Sequence, residues 1–250
     1  MFKAKLSDPS LLKNSVDTIS KLIHEGVFNI TEDSIYMRAA DRATVVVVDF
    51  ELKKGAFEEF ESDGETEMGV NLEGLLDILK RAKGDDNLTL ELSEDESRLK
   101  ISIGDGTKRE FEIPLLSISG SEVPETKQLE FSTNIELKSS VLTKGIADAE
   151  IVADSILFKS AEDSLTLAAE SDSGSVEAVT GKDSGDIIEI DAEEDTESRY
   201  PIEYLNKMLK ASKISDVSTL KFGNDYPMEL TFEEPDVIKI SFVLAPRVED

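Results

Sequence analysis

Residues 71–82 of this chain read NLEGLLDILKRA, and residues 201–212 read PIEYLNKMLKAS. Each stretch places four apolar side chains on one face at the 3.6-residue period of an α-helix and carries cations near its end. Each is followed by a turn and a strand-like run, LTLEL at 88–92 and STLKF at 218–222. Two copies of one helix–turn–strand pattern indicate a duplicated unit.

The duplication extends to an earlier helix in each copy. An amphipathic pattern begins near Leu11 and another near Val141, and each lies about 61 residues before the helix of the repeated stretch. Ser10 and Asn71 are expected N-caps, and Pro201 suits a first helical turn. The predicted helices span 10–25, 71–83, 139–150 and 201–213.

Short runs between the helices are typical of strands bounded by polar turns. They lie at 27–30, 34–38, 44–52, 88–92, 99–103, 109–115, 156–160, 165–169, 175–180, 187–190, 220–222, 228–232 and 238–243. The pattern predicts an α+β fold with two similar domains, each with two helices packed on antiparallel sheets. We expect domains at 1–117 and 129–250. Residues 118–128, rich in Ser, Pro and charge, form the connecting loop.

Composition excludes several classes of protein. The 250 residues contain no cysteine, so disulfides and thiolate metal sites are impossible. No run approaches the roughly 18–20 apolar residues of a membrane span, and the N-terminus lacks the apolar core of a signal peptide. We therefore expect an intracellular, soluble protein with no membrane partner.

Catalytic and cofactor motifs are also missing from the sequence. His24 is the single histidine, so a multi-histidine metal site or a pair of histidines for acid–base catalysis cannot form. Neither the phosphate-loop pattern nor the dinucleotide glycine pattern occurs. Residues 104–106 (GDG) suit a hairpin turn, and the acidic tract 183–197 does not have calcium-loop spacing. We expect no catalytic site, no metal and no cofactor.

The formal charge of −27 by itself argues against binding to nucleic acid. The four predicted helices nevertheless carry +2 together, which leaves −29 for the rest of the chain. Taken singly, each helix lysine is what a solvated face ordinarily carries. Their recurrence on the face opposite each apolar stripe favours a surface that meets phosphates. The cations opposite the stripes are Lys21, Arg81, Lys144, Lys207 and Lys210, and Lys13 and Lys80 lie beside the stripes.

Several segments resemble the sliding clamps of archaea and eukaryotes, the proliferating cell nuclear antigen family. They are residues 1–6, 11–28, 36–52 (YMRAADRATVVVVDFEL), 71–82 and the ending 240–250, ISFVLAPRVED. The resemblance covers essentially the whole chain and is nearest to archaeal members. It implies the DNA clamp fold, a ring-shaped homotrimer with helices lining the hole, and a place in the cytoplasm at the nucleoid of an archaeal-type cell. The cations named above would then meet double-stranded DNA without reading its sequence.

The same resemblance implies a hydrophobic pocket for partner peptides beneath the connecting loop. Clamp-binding tails of DNA polymerase, flap endonuclease and DNA ligase would insert apolar anchors there, and a clamp loader would place the ring on DNA. Taken singly, the pocket residues are also ordinary core or turn residues. Matched to the family motifs, they are Val45, Val47, Val123, Pro124, Pro227, Met228, Leu244, Ala245 and Pro246.

The family pairs an edge strand of each half across the subunit contact, and residues 108–112 and 175–179 match those strands. Cations near the first strand would meet Asp148 of a neighbouring copy. Archaeal relatives often carry acids where Ser140 and Lys144 stand here. The expected contact residues are Arg81, Lys83, Lys108, Arg109, Phe111, Ile113, Asp148, Val176 and Ala178.

Two other functions compete with a processivity factor that tethers replication and repair enzymes. One is a monomeric acidic adaptor that never encircles DNA. The other is a metal-dependent hydrolase that uses some of the many Asp and Glu side chains. The mass in solution distinguishes a monomeric adaptor from a ring. The missing additional histidines, cysteines and phosphate-loop motif argue against the hydrolase.

Overall fold

The structure is a computed structural model that describes residues 1–84, 86–93, 95–104, 107–118, 123–126, 128–192 and 194–247. Parts of three expected features lie outside these residues. They are positions 105 and 106 of the predicted hairpin turn, positions 119–122 and 127 of the connecting loop, and the last three residues of the ending 240–250.

The first half of the chain alternates strands with two helices. In order, its elements are β1 (Phe2–Leu6), α1 (Ser10–Ile19), β2 (Glu25–Ile30), β3 (Ser34–Ala40), β4 (Val46–Lys53), β5 (Glu59–Ser62), β6 (Thr66–Asn71), α2 (Leu72–Leu79), β7 (Leu88–Leu92), β8 (Arg98–Ile103) and β9 (Arg109–Pro114). A 3₁₀ turn, Lys54–Ala56, follows β4.

The second half repeats this order element by element. It runs β10 (Thr133–Lys138), α3 (Ser139–Glu150), β11 (Ser155–Ala161), β12 (Ser164–Ser171), β13 (Gly174–Gly181), β14 (Ile187–Ala192), β15 (Thr196–Pro201), α4 (Ile202–Met208), β16 (Val217–Phe222), β17 (Met228–Glu234) and β18 (Ile238–Leu244). Its 3₁₀ turns, Lys182–Ser184 and Leu209–Lys213, follow β13 and α4. The described elements therefore confirm the duplicated α+β pattern.

Tertiary contacts divide the chain into two compact units. The first unit comprises Met1–Arg42, Val48–Val123 and Glu234–Ile240, and the second comprises Ala43–Val47, Pro124–Glu233 and Ser241–Asp250.

The first unit contains two antiparallel groups of strands. One has the order β5-β1-β7-β8-β9, and in the other β2 lies between β3 and β6. The apolar stripes of α1 and α2 are buried, and the two helices contact each other. Burial of these stripes is the main favourable term that holds each helix on its sheet, at about 25 cal/mol per Å² of apolar surface.

The second unit has the same arrangement. Its groups have the orders β14-β10-β16-β17 and β13-β12-β11-β15, and α3 contacts β10, β11, β12 and β13. Gly145 lies on the buried face of α3, where a Cβ atom would collide with the Leu167 side chain of β12. A side chain at this position would therefore force the end of the Leu167 side chain to move, which favours glycine here.

Equivalent backbone bonds start the second helix of each unit. The Leu72 N–H donates to the His24 carbonyl (2.9 Å), and the Ile202 N–H donates to the Asp154 carbonyl (3.0 Å). Because these positions correspond in the repeat, the backbone of the single histidine has a structural role.

The helix boundaries correct several expectations. The predicted helix 10–25 ends at Ile19, since the Lys21 N–H turns back to the Thr18 carbonyl and Glu25 already belongs to β2. The Ser10 cap is wrong: Pro9 occupies the N-cap position, and the Ser10 N–H donates to Asp8 Oδ1 at 2.8 Å.

The second predicted cap is confirmed, because the Asn71 side chain accepts the Gly74 N–H at 2.7 Å. Pro201 is the N-cap of α4 rather than a residue of its first turn. The predicted helix 201–213 is an α-helix only to Met208, and a 3₁₀ turn completes it.

Five strands were missed: β1, β5, β6, β10 and β15. Three of them, β1, β10 and β15, show buried residues in every second position, but polar residues at the other positions weaken the signal over five or six residues. In β6 three consecutive residues are buried, so its burial does not alternate. The fifth, β5, has no buried residue and is defined only by its pairing with β1.

Replacement of Gly145 by valine is expected to lower the free energy of unfolding by about 1–3 kcal/mol, because the new side chain must push α3 away from Leu167. Denaturant unfolding measures the change. Gly84→Ala is the control, since a Cβ atom there meets no described atom within 4 Å. Equal effects of the two substitutions would contradict the close approach.

Candidate nucleic-acid and partner surfaces

In the first unit the predicted phosphate-binding cations lie mainly at the C-terminal ends of the helices. Lys13 is half-buried on α1, and Lys21 lies exposed in the turn after it, 4.0 Å from Asp17. Lys80 and Arg81 follow α2 directly and are exposed. The negative end of the helix dipole favours cations at these positions.

The positive charge near α2 lies after the observed end of the helix rather than on it. Helix α2 itself carries Glu73 and Asp77 and no cation, and Lys80 Nζ lies 3.8 Å from Asp77 Oδ1. The expectation of a cation on each helix face is therefore wrong for α2, where the cations lie in the turn that follows. The helix and its following turn together still present positive charge.

In the second unit Lys144 is exposed on α3, and α3 contacts α4. Lys207 is half-buried on α4, where its ammonium lies 2.6 Å from Glu203 Oε1 and 5.2 Å from the Tyr204 ring centroid. Lys210 follows in the 3₁₀ turn. The acids Asp148 and Glu150 on α3 and Glu203 on α4 offset the positive charge of this helix pair, which suits weak and non-specific attraction to phosphates.

A cavity of about 850 Å³ opens in the second unit between the end of α3, the start of β11 and α4. Lys207 and Lys210 line it together with acids such as Glu150 and Glu203. At its lining the Ile151 side chain is 81% exposed, which is unusual for so large an apolar residue. The mixed charges make this cavity unlike a dedicated phosphate site.

The strands expected to pair between subunits lie at sheet edges. β9 is the terminal strand beyond β8, and β13 is the terminal strand beyond β12. Phe111 and Ile113 of β9 are half-buried, as are Val176 and Ala178 of β13. The neighbouring Val179 is 62% exposed. Each edge thus presents apolar side chains beside unpaired backbone groups.

The cations at β9 have partners within the chain. Arg109 donates to Asp86 Oδ2 at 2.7 Å and to the Arg81 carbonyl at 3.0 Å. The Lys83 N–H also donates to Asp86, and with the charge of Arg109 it holds the pKa of that carboxyl below its ordinary value. Arg109 therefore braces the turn after α2 in the isolated chain.

The other charged residues of the expected subunit contact are at the surface. Lys108 Nζ lies 2.6 Å from Glu110 Oε1, and this hydrogen bond together with that from Lys100 lowers the pKa of Glu110. Lys83 and Asp148 are exposed.

The expected pocket residues fall into a buried set and an accessible set. Met228 and Leu244 are fully buried, and Val47 is 5% exposed, so these three side chains lie beneath the surface and are not accessible to a peptide. Pro124 is exposed. The half-exposed members are Val45, Val123, Pro227, Ala245 and Pro246.

A turn with unusual backbone geometry precedes Val45. Thr44 has φ of 56°, which a β-branched residue rarely adopts. The carbonyl of Val45 then accepts the Ala245 N–H at 2.9 Å. This strained turn joins β3 to β4 and sets the position of Val45 beside the segment after β18. Sequence periodicity carries no sign of it.

In the part of the chain that the structure describes, no group of three or more His, Cys, Asp or Glu side chains is placed to hold a metal ion. Burial raises the pKa of Tyr200, and its hydroxyl donates to the Tyr226 carbonyl at 2.7 Å, so this tyrosine is a packing residue. No helix among the described residues is long and apolar enough to cross a membrane.

The two repeated α+β units, with cations on or just after their helices and apolar side chains at sheet edges, have the architecture of the clamp class. The N-terminal domain model of proliferating cell nuclear antigen matches residues 1–119, and the C-terminal domain model matches residues 124–247. The chain belongs to the proliferating cell nuclear antigen family.

Relatives and solved structures agree with this assignment. The DNA polymerase sliding clamp of Pyrococcus abyssi is 37% identical over 94% of both chains, and that of Thermofilum pendens is 32% identical over the whole of both. The crystal structure of PCNA from Thermococcus kodakaraensis superposes with a TM-score of 0.92 at 26% identity, covering 99% of this chain and 100% of the other.

The strain at Thr44 yields a stability prediction. Thr44→Asn is expected to raise the free energy of unfolding by about 0.5–1 kcal/mol, because asparagine tolerates the left-handed region better than a β-branched residue. Thr89→Asn in strand β7 is the matched control and is expected to lower it. Denaturant melts measure both, and a loss of stability in Thr44→Asn would contradict the strained turn.

Proposed function

We propose that this sliding-clamp chain is the processivity factor of a DNA polymerase, which encircles duplex DNA as a homotrimer and catalyses no reaction. The observation that carries the proposal is the separation of charge. Cations lie on or just after the helices of each unit, whereas the chain as a whole has a formal charge of −27. A ring with helices inside would attract the duplex to its hole and repel it elsewhere.

The cations Lys13, Lys21, Lys80, Arg81, Lys144, Lys207 and Lys210 would make loose phosphate contacts. Lys21, Lys80 and Lys207 already lie near a carboxylate. When one of these ammonium groups binds a phosphate, it replaces a weak ion pair with another weak ion pair. Such contacts hold the protein on DNA without fixing its position, which permits sliding.

Ring closure would use the edges of β9 and β13. Pairing them between neighbouring copies would satisfy unpaired backbone groups and cover Phe111, Ile113, Val176 and Ala178. Lys83, Lys108, Arg109 and Arg81 would lie near Asp148 of the next copy.

Partner tails would dock on the accessible residues around Val45, Pro227, Ala245 and Pro246, over the floor of Val47, Met228 and Leu244. Val123 and Pro124, next to the proposed connecting loop 118–128, would add to this surface. The proposed partners are DNA polymerase, flap endonuclease and DNA ligase, with a clamp loader that opens the ring. The chain would then act at the DNA of an archaeal-type cell.

The ring predicts the mass in solution. Light scattering should give about three times the 27.5 kDa of the chain. Val179→Asp should shift the mass toward one subunit, because strand pairing would bury an unpaired carboxylate. Ile188→Asp is the control, since Ile188 is similarly exposed but lies on β14, outside the proposed contact. A wild-type mass of one subunit would instead favour the monomeric adaptor.

The phosphate contacts predict retention on DNA. Lys80→Ala combined with Lys210→Ala should shorten the lifetime of the loaded ring on nicked circular DNA by about threefold to tenfold and reduce its salt dependence. Lys3→Ala with Lys221→Ala removes the same charge from strands β1 and β16 and should have no effect. Unchanged retention in the first pair would contradict the proposed inner face.

A further inference from the structure

The segment that follows β18, Ala245–Arg247, is fixed at three points within the second unit. The Ala245 N–H donates to the Val45 carbonyl at 2.9 Å, and the Arg247 N–H donates to the Arg199 carbonyl of β15 at 2.7 Å. The Arg247 guanidinium lies 2.6 Å from Asp154 Oδ1. Two backbone bonds and one ion pair therefore bracket Pro246.

Asp154 is itself held in place. It directly precedes β11, and its backbone carbonyl accepts the N–H of Ile202, the first residue of α4. The hydrogen bond from Arg247 and its charge lower the pKa of Asp154, so the carboxylate stays ionised at neutral pH. The ion pair thus attaches segment 245–247 to a point that the helix start already fixes.

The first unit provides an internal comparison. There the Leu116 N–H, after β9, donates to the Gly69 carbonyl of β6 at 2.8 Å, which is the counterpart of the bond between Arg247 and Arg199. The backbone bond is therefore part of the repeated fold, whereas Leu116 has no charge with which to form the ion pair. The pair is an addition of the second unit, the unit that contains Ala245 and Pro246.

Both partners are accessible to solvent, with side-chain exposures of 44% for Arg247 and 80% for Asp154. Exposed pairs contribute little to global stability. The pair instead fixes the end of a short irregular segment that two backbone hydrogen bonds also hold.

We infer that Arg247 and Asp154 are positioning residues for the partner-peptide surface, holding Ala245 and Pro246 where an incoming tail docks. The inference rests on the proposed function. If a substitution removes the ion pair, part of the free energy of peptide binding must be spent on ordering segment 245–247. The affinity for the peptide then falls, although the fold of the unit is unchanged.

The test is the affinity of a fluorescent peptide copied from the clamp-binding tail of a DNA polymerase. Arg247→Gln and Asp154→Asn should each weaken binding by about threefold to tenfold, and the double variant should be no weaker than either single one, because both remove the same pair. Arg247→Lys should restore most of the affinity, since the contact uses one guanidinium nitrogen. Lys138→Gln removes the similarly exposed pair with Asp186 and should leave binding unchanged.

The outcomes separate this inference from the proposed function. Val45→Asp should abolish binding if the surface is right. Binding lost in Val45→Asp but unchanged in Arg247→Gln would overturn the positioning role and leave the proposed surface intact. Additive losses in the double variant, or a fall in melting temperature that accounts for the lost affinity, would also overturn it. A wild-type chain that binds no peptide would overturn both.

Discussion

Burial of one apolar stripe per helix is the constraint on which the rest of this structure depends. A helix with a single apolar face must lie on a sheet, and its opposite face must then meet solvent or a ligand. In α3 the packing is close enough that a Cβ atom at Gly145 would displace the end of the Leu167 side chain. Once the stripes are buried, most charged residues on these helices face away from the sheets, while small polar residues such as Ser15 and Thr18 are buried with the stripe.

This constraint explains how an acidic protein can bind an acidic polymer. The strands and loops carry most of the negative charge, while cations lie in the turns that follow α1, α2 and α4, where the helix dipole also favours them. Net charge is a sum over the surface, whereas binding depends on local potential. A total of −27 is therefore compatible with a phosphate-binding face, and it disfavours DNA at other faces.

Duplication gives both units the same backbone framework, and single side chains then distinguish them. His24 and Asp154 occupy equivalent positions and each accept the first N–H of a helix through the backbone. Only Asp154 also forms an ion pair, with Arg247. The repeated hydrogen bonds preserve the fold, which leaves side chains at equivalent positions free to acquire separate roles in each unit.

The sequence by itself determined the duplicated α+β pattern, the four helices and the absence of cysteine and of known catalytic motifs. Periodicity and composition are local properties, so the chain displays them directly. Only the tertiary structure decided that α1 ends at Ile19, that Met228 and Leu244 are fully buried, and that Arg109 reaches Asp86. It also decided the left-handed turn at Thr44 and the ion pair of segment 245–247. These features depend on strand register and on contacts between residues far apart in the chain, and no local pattern encodes them.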